Sequence, residues 1–100
     1  MELTSTQRKY LRGLGHKLDP VVIIGKQGVT DHVIRATSAA LDAHELIKIR
    51  FNEFKDQKKE LAAEIASRTE GNIAGMIGHV MILYRQHSDP EKRRITLPSA

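Results

Sequence analysis

The sequence contains no cysteine, no tryptophan, only three prolines and four aromatic residues, Tyr10, Phe51, Phe54 and Tyr84. Without cysteine there can be no disulfide scaffold, cysteine nucleophile, thiolate zinc site or iron–sulfur cluster. Long apolar runs are missing too. The stretch Val80 to Leu83 falls far short of the roughly eighteen consecutive apolar residues that span a bilayer. Met1-Glu2-Leu3-Thr4 has no basic stretch leading into an apolar block, so a secretory signal lacks support and the expected compartment is the cytoplasm.

What remains is a chain of 100 residues, 40% apolar and 28% charged, which suits one compact folded domain and argues against disorder as the general state. Sixteen Lys and Arg against twelve Asp and Glu leave a formal charge of +4. That balance favours polyanionic partners, nucleic acid foremost.

Thr4 followed by Gln7 fits a capping box, so a first helix begins there. On a helical wheel Leu11, Leu14 and Leu18 form its core edge, while Arg8, Lys9, Arg12 and His16 line the adjacent flank. Asp19-Pro20 ends it. Val21 to Ile24 reads as a strand buried on both faces, followed by the loop Gly25-Lys26-Gln27-Gly28. Thr30 caps a second helix reaching about His44, with Val33, Thr37, Ala40, Leu41 and His44 on its inner arc. From Leu46 to Phe51, Ile47, Ile49 and Phe51 alternate against Lys48 and Arg50, a strand with one basic face. A third helix over about Asp56 to Thr69 turns Leu61, Ala62, Ile65 and Ala66 inward, and Gly71 is placed to end it in the left-handed conformation. Ile73 to Ile77 and Val80 to Arg85 read as a hairpin turning at Gly78-His79. The order is α-β-α-β-α-β-β, which predicts an α/β domain over residues 1–97 with a small mixed sheet of about four strands packed with three helices. Periodicity fades from Gln86, predicting a loosely ordered basic tail over residues 86–100.

The loop carries the clearest chemistry. Glycines let a backbone approach a phosphodiester chain closely, the following helix start offers free N–H groups and a positive dipole end, and Lys26 adds a full charge. The Gly-x-x-Gly clamp of KH domains grips single-stranded RNA through its backbone by similar physics. The plainer alternative is a tight turn whose glycines supply positive φ and whose lysine is merely solvated. Walker-type and dinucleotide-binding loops do not fit. The thirds of the chain carry +3, −1 and +2, with the excess on the first helix, the loop and the tail. Lys58 and Lys59, beside Asp56 and Glu60, read as ordinary solvated charge. Few aromatics make base stacking a minor contribution, which points to recognition of RNA backbone and shape.

The histidines at 16, 32, 44, 79 and 87 show no i,i+3 or i,i+4 pair suited to a metal, so no metal or other cofactor is expected. His44 reads as a core histidine, and His32, near the loop, is the one with a functional position. No serine sits in a nucleophile elbow, and Glu60 and Glu64 lack a partner to tune them. Neither an enzyme nor a small-molecule site is indicated.

From Leu3 to Leu97 the chain resembles the CRM domain (chloroplast RNA splicing and ribosome maturation) in its free-standing bacterial YhbY-type form. Four stretches carry the resemblance: Leu3-Thr4 with Gln7 to Arg12, Pro20 to Gly28 with its Ile-Gly-Lys-x-Gly core, Ala40 to Lys48, and Ile77-Gly78 with Val80 and Leu83-Tyr84-Arg85. The resemblance implies an α/β domain that holds structured RNA through its loop and a basic surface. Stand-alone members act in ribosome assembly on precursors of the large subunit, and plant relatives serve in intron splicing. Carried over by position, Gly25, Lys26 and Gly28 fit the loop motif and Arg8, Lys9 and Arg12 the basic first helix. His79 departs from the pattern, standing where Lys or Arg is common, which weakens any contact by the hairpin tip near neutral pH.

The expected RNA contacts are therefore Gly25, Lys26, Gln27, Gly28, Thr30, His32, Arg8, Lys9, Arg12 and Arg85, with Lys92 to Arg94 as further tail contacts. The expected partner is ribosomal RNA or a pre-ribosomal particle, with no membrane partner. A protein-interaction module docking on a ribosomal protein or another assembly factor through the polar third helix is the alternative.

Overall fold

The computed structural model describes residues 2–99. Its elements are α1 (Ser5–Gly15), β1 (Val22–Ile24), α2 (Asp31–His44), β2 (Leu46–Phe51), α3 (Lys58–Thr69), β3 (Asn72–Ile77) and β4 (Val80–Tyr84), with single 3-10 turns at Lys55–Gln57 and Pro90–Lys92. The strands form one mixed sheet in the order β1-β2-β4-β3, parallel between β1 and β2 and antiparallel elsewhere. The α/β architecture is the one the periodicities predict.

Helices cover both faces of the sheet. On one face Ile24, Ile47, Ile49, Phe51, Met81 and Leu83 bury against Leu41 of α2 and Ala62 and Ile65 of α3. On the other, Leu46, Ala74, Ile82 and Tyr84 pack under Leu3, Leu11 of α1 and, from the C-terminal segment, Ile95 and Leu97. Each large side chain so buried contributes about 1.5–3 kcal/mol before chain entropy is subtracted.

The capping box at the start of α1 is present, Gln7 N–H donating to Thr4 Oγ1 at 3.1 Å and Thr4 N–H to Gln7 Oε1 at 3.0 Å. The helix stops at Gly15, however, and of its expected core edge only Leu11 is buried; Leu14 and Leu18 are each 39% exposed. Gly15 instead faces Ile82, close enough to exclude a comfortable Cβ. Two further expectations are corrected. β1 is an edge strand, not a strand buried on both faces: Ile23 within it and Val21 just before it stand about half exposed. Gly71 is not the left-handed residue after α3; Glu70 is, at φ 58°, while Gly71 is kept small by Leu83 and the Thr69 hydroxyl.

The helix α2 starts at Thr30 as expected, with Val33 N–H bonded to the Thr30 hydroxyl at 3.1 Å. Its end differs. His44 is exposed, and the neighbouring Glu45, at φ 63°, is buried. The Glu45 carboxylate accepts from three backbone N–H groups, His87 at 2.8 Å, Arg94 at 2.6 Å and Ile95 at 3.1 Å. The segment expected to be a loose tail is thus tied along residues 87–95 to the end of α2. Burial pushes the Glu45 carboxyl up, but these donors, with the nearby His87, outweigh it and hold the group below its ordinary value.

Candidate nucleic-acid interface

Parallel β1 and β2 end at the same edge of the sheet, and β4 begins there because it runs antiparallel to β2. Three connections therefore gather at that end: Gly25–Gly28, the segment after Phe51, and the Gly78-His79 turn. They are stitched by backbone bonds, Asn52 and Glu53 N–H both to Ile24 C=O and Phe51 N–H to His79 C=O.

Within the loop the two glycines have different origins. Gly28 is buried at φ +71° beside the ring of Phe54, and it is the dihedral that favours the absence of a side chain. Its N–H closes the turn on Gly25 C=O at 3.0 Å. Gly25 has no such reason. Its φ lies outside the left-handed region, and a Cβ there would meet no protein atom within 4 Å. Lys26 and Gln27 between them are exposed, and His32 is exposed in the first turn of α2. At that helix start Thr30 takes one free N–H, and Asp31 is paired with Arg68 of α3 at 2.7 Å, which reduces the repulsion an arriving anion would meet.

Residues that the sequence reading treats as background also converge here. Lys58, read as solvated, spans from α3 to the hairpin tip, donating to Gly78 C=O at 2.6 Å and lying 3.2 Å from His79 Nδ1. Partial desolvation, then the charges of Lys58 and Lys55, push the His79 imidazole below its ordinary value. The tip is therefore neutral near pH 7. Lys55 adds another cation in the connection after β2, with Glu53 and Asp56 in the same stretch. Among the described residues, none of these carboxylates comes within ion-pair distance of a lysine.

The remaining expected residues lie elsewhere. α1 crosses the sheet over β3, β4 and part of β2, and its Arg12 lies on β3, three strand spacings or roughly 14 Å from β1. Arg8 donates to Leu3 C=O at 2.7 Å and to the Ser5 hydroxyl, and Arg12 to Ala74 C=O at 3.1 Å with its stem laid over Gly75. The Arg12 guanidinium holds α1 down on β3 and that of Arg8 ties the start of α1 to Leu3; Lys9 is exposed. Arg85 sits at the opposite end of the sheet from the loop. It bonds to the Ser38 hydroxyl and carbonyl, to Thr69 C=O and to Asp42 at 2.7 Å, which makes it a brace between α2 and α3. The structure thus brings together Gly25, Lys26, Gln27, Gly28, Thr30 and His32, and separates them from Arg8, Lys9, Arg12 and Arg85. Lys48 and Arg50, recognised in the sequence only as the basic face of a strand, share the sheet face crossed by α1.

Residues 3–85 match the model of the CRS1 / YhbY (CRM) domain. The chain belongs to this family. It is 36% identical over 97 residues to an RNA-binding protein of Haemophilus influenzae, covering 96% of this chain and 95% of that protein. It is 32% identical over 97 residues to the probable RNA-binding protein YqeI of Bacillus subtilis, covering 96% and 99%. The solution structure of a hypothetical Staphylococcus aureus protein superimposes with a TM-score of 0.78 at 36% identity, covering 96% of this chain and 99% of that one. The CRM fold expected from the motifs is therefore the fold of the molecule. Among its described residues, no helix is long and apolar enough to cross a membrane, and no group of three or more His, Asp or Glu is placed to hold a metal ion.

Proposed function

We propose that this CRM domain is a non-catalytic RNA-binding protein that associates with precursors of the large ribosomal subunit. Gly25, Lys26, Gln27 and Gly28, with Thr30 and His32 at the start of α2, hold the sugar-phosphate backbone of structured RNA. The observation that carries the reading is Gly25: neither its dihedral nor its packing requires glycine, and it is open to solvent where a Cβ would stand between the backbone and an incoming phosphate. Exposed Lys26 beside it supports the same assignment, and so do the RNA-binding relatives. Base identity contributes little to such a contact, because phosphates are common to every sequence.

Titrations of the full chain with ribosomal RNA fragments test this. Gly25→Val should leave the thermal midpoint nearly unchanged while weakening RNA binding, and Lys26→Glu should weaken binding to different RNA sequences alike. Full affinity in both variants would remove the loop from the interface. Association with large-subunit precursors is read separately, by whether the tagged protein cosediments with them after crosslinking and loses that association when RNA is digested. Retention on a ribosomal protein after digestion would favour the protein-docking alternative.

A further inference from the structure

The sheet face crossed by α1 is only partly covered. α1 lies over β3, β4 and part of β2, with Arg12 on Gly75 and Gly15 on Ile82, and leaves open the corner nearest the Gly25–Gly28 loop. The strand register defines what is exposed there: Ile23 of β1 pairs with Arg50 of β2, Arg50 with Val80 of β4, and Val80 with Ile77 of β3. This row runs across all four strands. Ile23 is 46% and Ile77 57% exposed, whereas Ile24 and Ile49 on the other face are fully buried. Lys48 lies one step below Arg50 on the same face, and the two line a groove of about 300 Å³ with Ile77, Val80 and the turn after α1. Neither cation forms an ion pair among the described residues, although Asp19 also borders the groove. Lys48 makes one long contact, 3.5 Å to His16 C=O.

We infer that this corner of the sheet, Ile23, Ile77 and Val80 flanked by Lys48 and Arg50, binds an unpaired RNA segment that continues from the phosphates held at the Gly25–Gly28 loop. The inference rests on the RNA-binding reading and specifies the form of RNA that completes the site. Aliphatic side chains offer a base an apolar contact, and the two neighbouring cations of β2 meet the phosphates beside it. Duplex RNA cannot use the row, because its bases are stacked inside and its rim is charged. The groove volume, at the lower end of the range for small-ligand sites, suits a single nucleoside. Continuity with the loop follows from the strand: Ile23 precedes Gly25 by two residues, so the row and the loop share one edge.

The test is fluorescence anisotropy of the full chain with a blunt RNA hairpin and with the same hairpin carrying a short unpaired 3′ tail. The tail should tighten binding about fivefold to tenfold, the gain expected from one base in contact with an apolar surface. Ile77→Ser and, separately, Arg50→Ala should each cut that gain to less than about twofold, with folding checked by circular dichroism and the thermal midpoint. A 4-thiouridine in the tail should crosslink to peptides spanning residues 48–50 or 77–80. Equal affinity for the two RNAs, a gain that survives both substitutions, or crosslinks confined to other surfaces would overturn the inference while leaving the loop site standing. Crosslinking of this corner to an acidic protein in place of RNA would overturn it equally. If the unmodified protein binds neither RNA, the RNA-binding reading itself falls.

Discussion

Glu45→Gln isolates one buried carboxylate that ties the C-terminal segment to the sheet. In the native side chain, Oε2 accepts from His87 N–H and Oε1 from Arg94 and Ile95 N–H. The amide retains one oxygen for Arg94 and Ile95 but sets an NH2 against His87 N–H, donor facing donor. The loss is one charge-assisted hydrogen bond together with an unsatisfied N–H, about 2 kcal/mol on the usual scale for bonds to charged groups. The strained dihedral at residue 45 is the same in both chains and cancels. For a domain of this size that cost lowers the midpoint of thermal unfolding by roughly 8–16 °C. Hydrogen exchange should accelerate at His87, Arg94 and Ile95 more than in the strands. The pH dependence provides a second check with a definite sign. The carboxyl of the folded state lies below its ordinary value of 4.5, so its stabilisation is fully present above that value and disappears as the pH falls through the folded one. Glu45→Gln should lack that component of acid destabilisation. A midpoint shift under about 2 °C, with unchanged exchange at the three amides, would refute the clamp.

Tyr84→Phe should stabilise the domain by about 1 kcal/mol in chemical denaturation, because the phenol oxygen is buried with no hydrogen-bond partner among the described residues; a loss of stability would reveal a partner for that hydroxyl. Gly28→Ala should cost roughly 1–2 kcal/mol, since φ +71° opposes a Cβ, and an unfolding midpoint equal to the unsubstituted protein's would contradict the assigned geometry. Lys26→Glu should make RNA affinity less sensitive to salt, reducing the slope of log K against log salt by about one, and an unchanged slope would place Lys26 off the phosphates. Arg85→Gln should lower stability by about 1–3 kcal/mol while leaving that slope as it is; a flatter slope would return Arg85 to the interface.

The elements of this fold were legible because each has a local cause. A capping box, a β-branched run before glycine, and alternation from Ile47 to Phe51 all act within a few residues. What failed depended on distant chain. The wheel that placed Leu14 and Leu18 in the core assumed an edge covered along its whole length by the sheet, yet α1 ends at Gly15 and both leucines stay 39% exposed. Val21 to Ile24 carries the composition of a central strand, and nothing in four aliphatic residues says that β1 will lie at an edge with half its face open. Glu45 gave no periodic signal because its three partners come 42 to 50 residues later. The candidate site divided along the same line. The loop and the helix cap after it are contiguous in sequence and were found together. Arg85 and Arg12 lie apart from the loop, and charge alone does not reveal this, since the carbonyls that hold them belong to other elements.

Net charge therefore says less about the interface than the distribution of engaged and unengaged cations. Arg68 and Arg85 are matched by carboxylates, and their field at a distance is largely cancelled. Arg8 and Arg12 keep their charge, but carbonyl bonds fix their guanidiniums over α1 and β3, where they add to long-range attraction without reaching towards the loop. Lys26, Lys55, Lys48 and Arg50 have no carboxylate partner among the described residues, and the register places Arg50 in the same row as Ile23, next to the loop. A polyanion drawn by the general positive field would meet several cations free to bond at this end of the sheet. There the backbone is also open, at Gly25. Unpaired cations and open backbone come together there because parallel β1 and β2 deliver their connections to the same edge, so in the proposed RNA-binding reading the topology, more than the composition, sets where a phosphate chain is held.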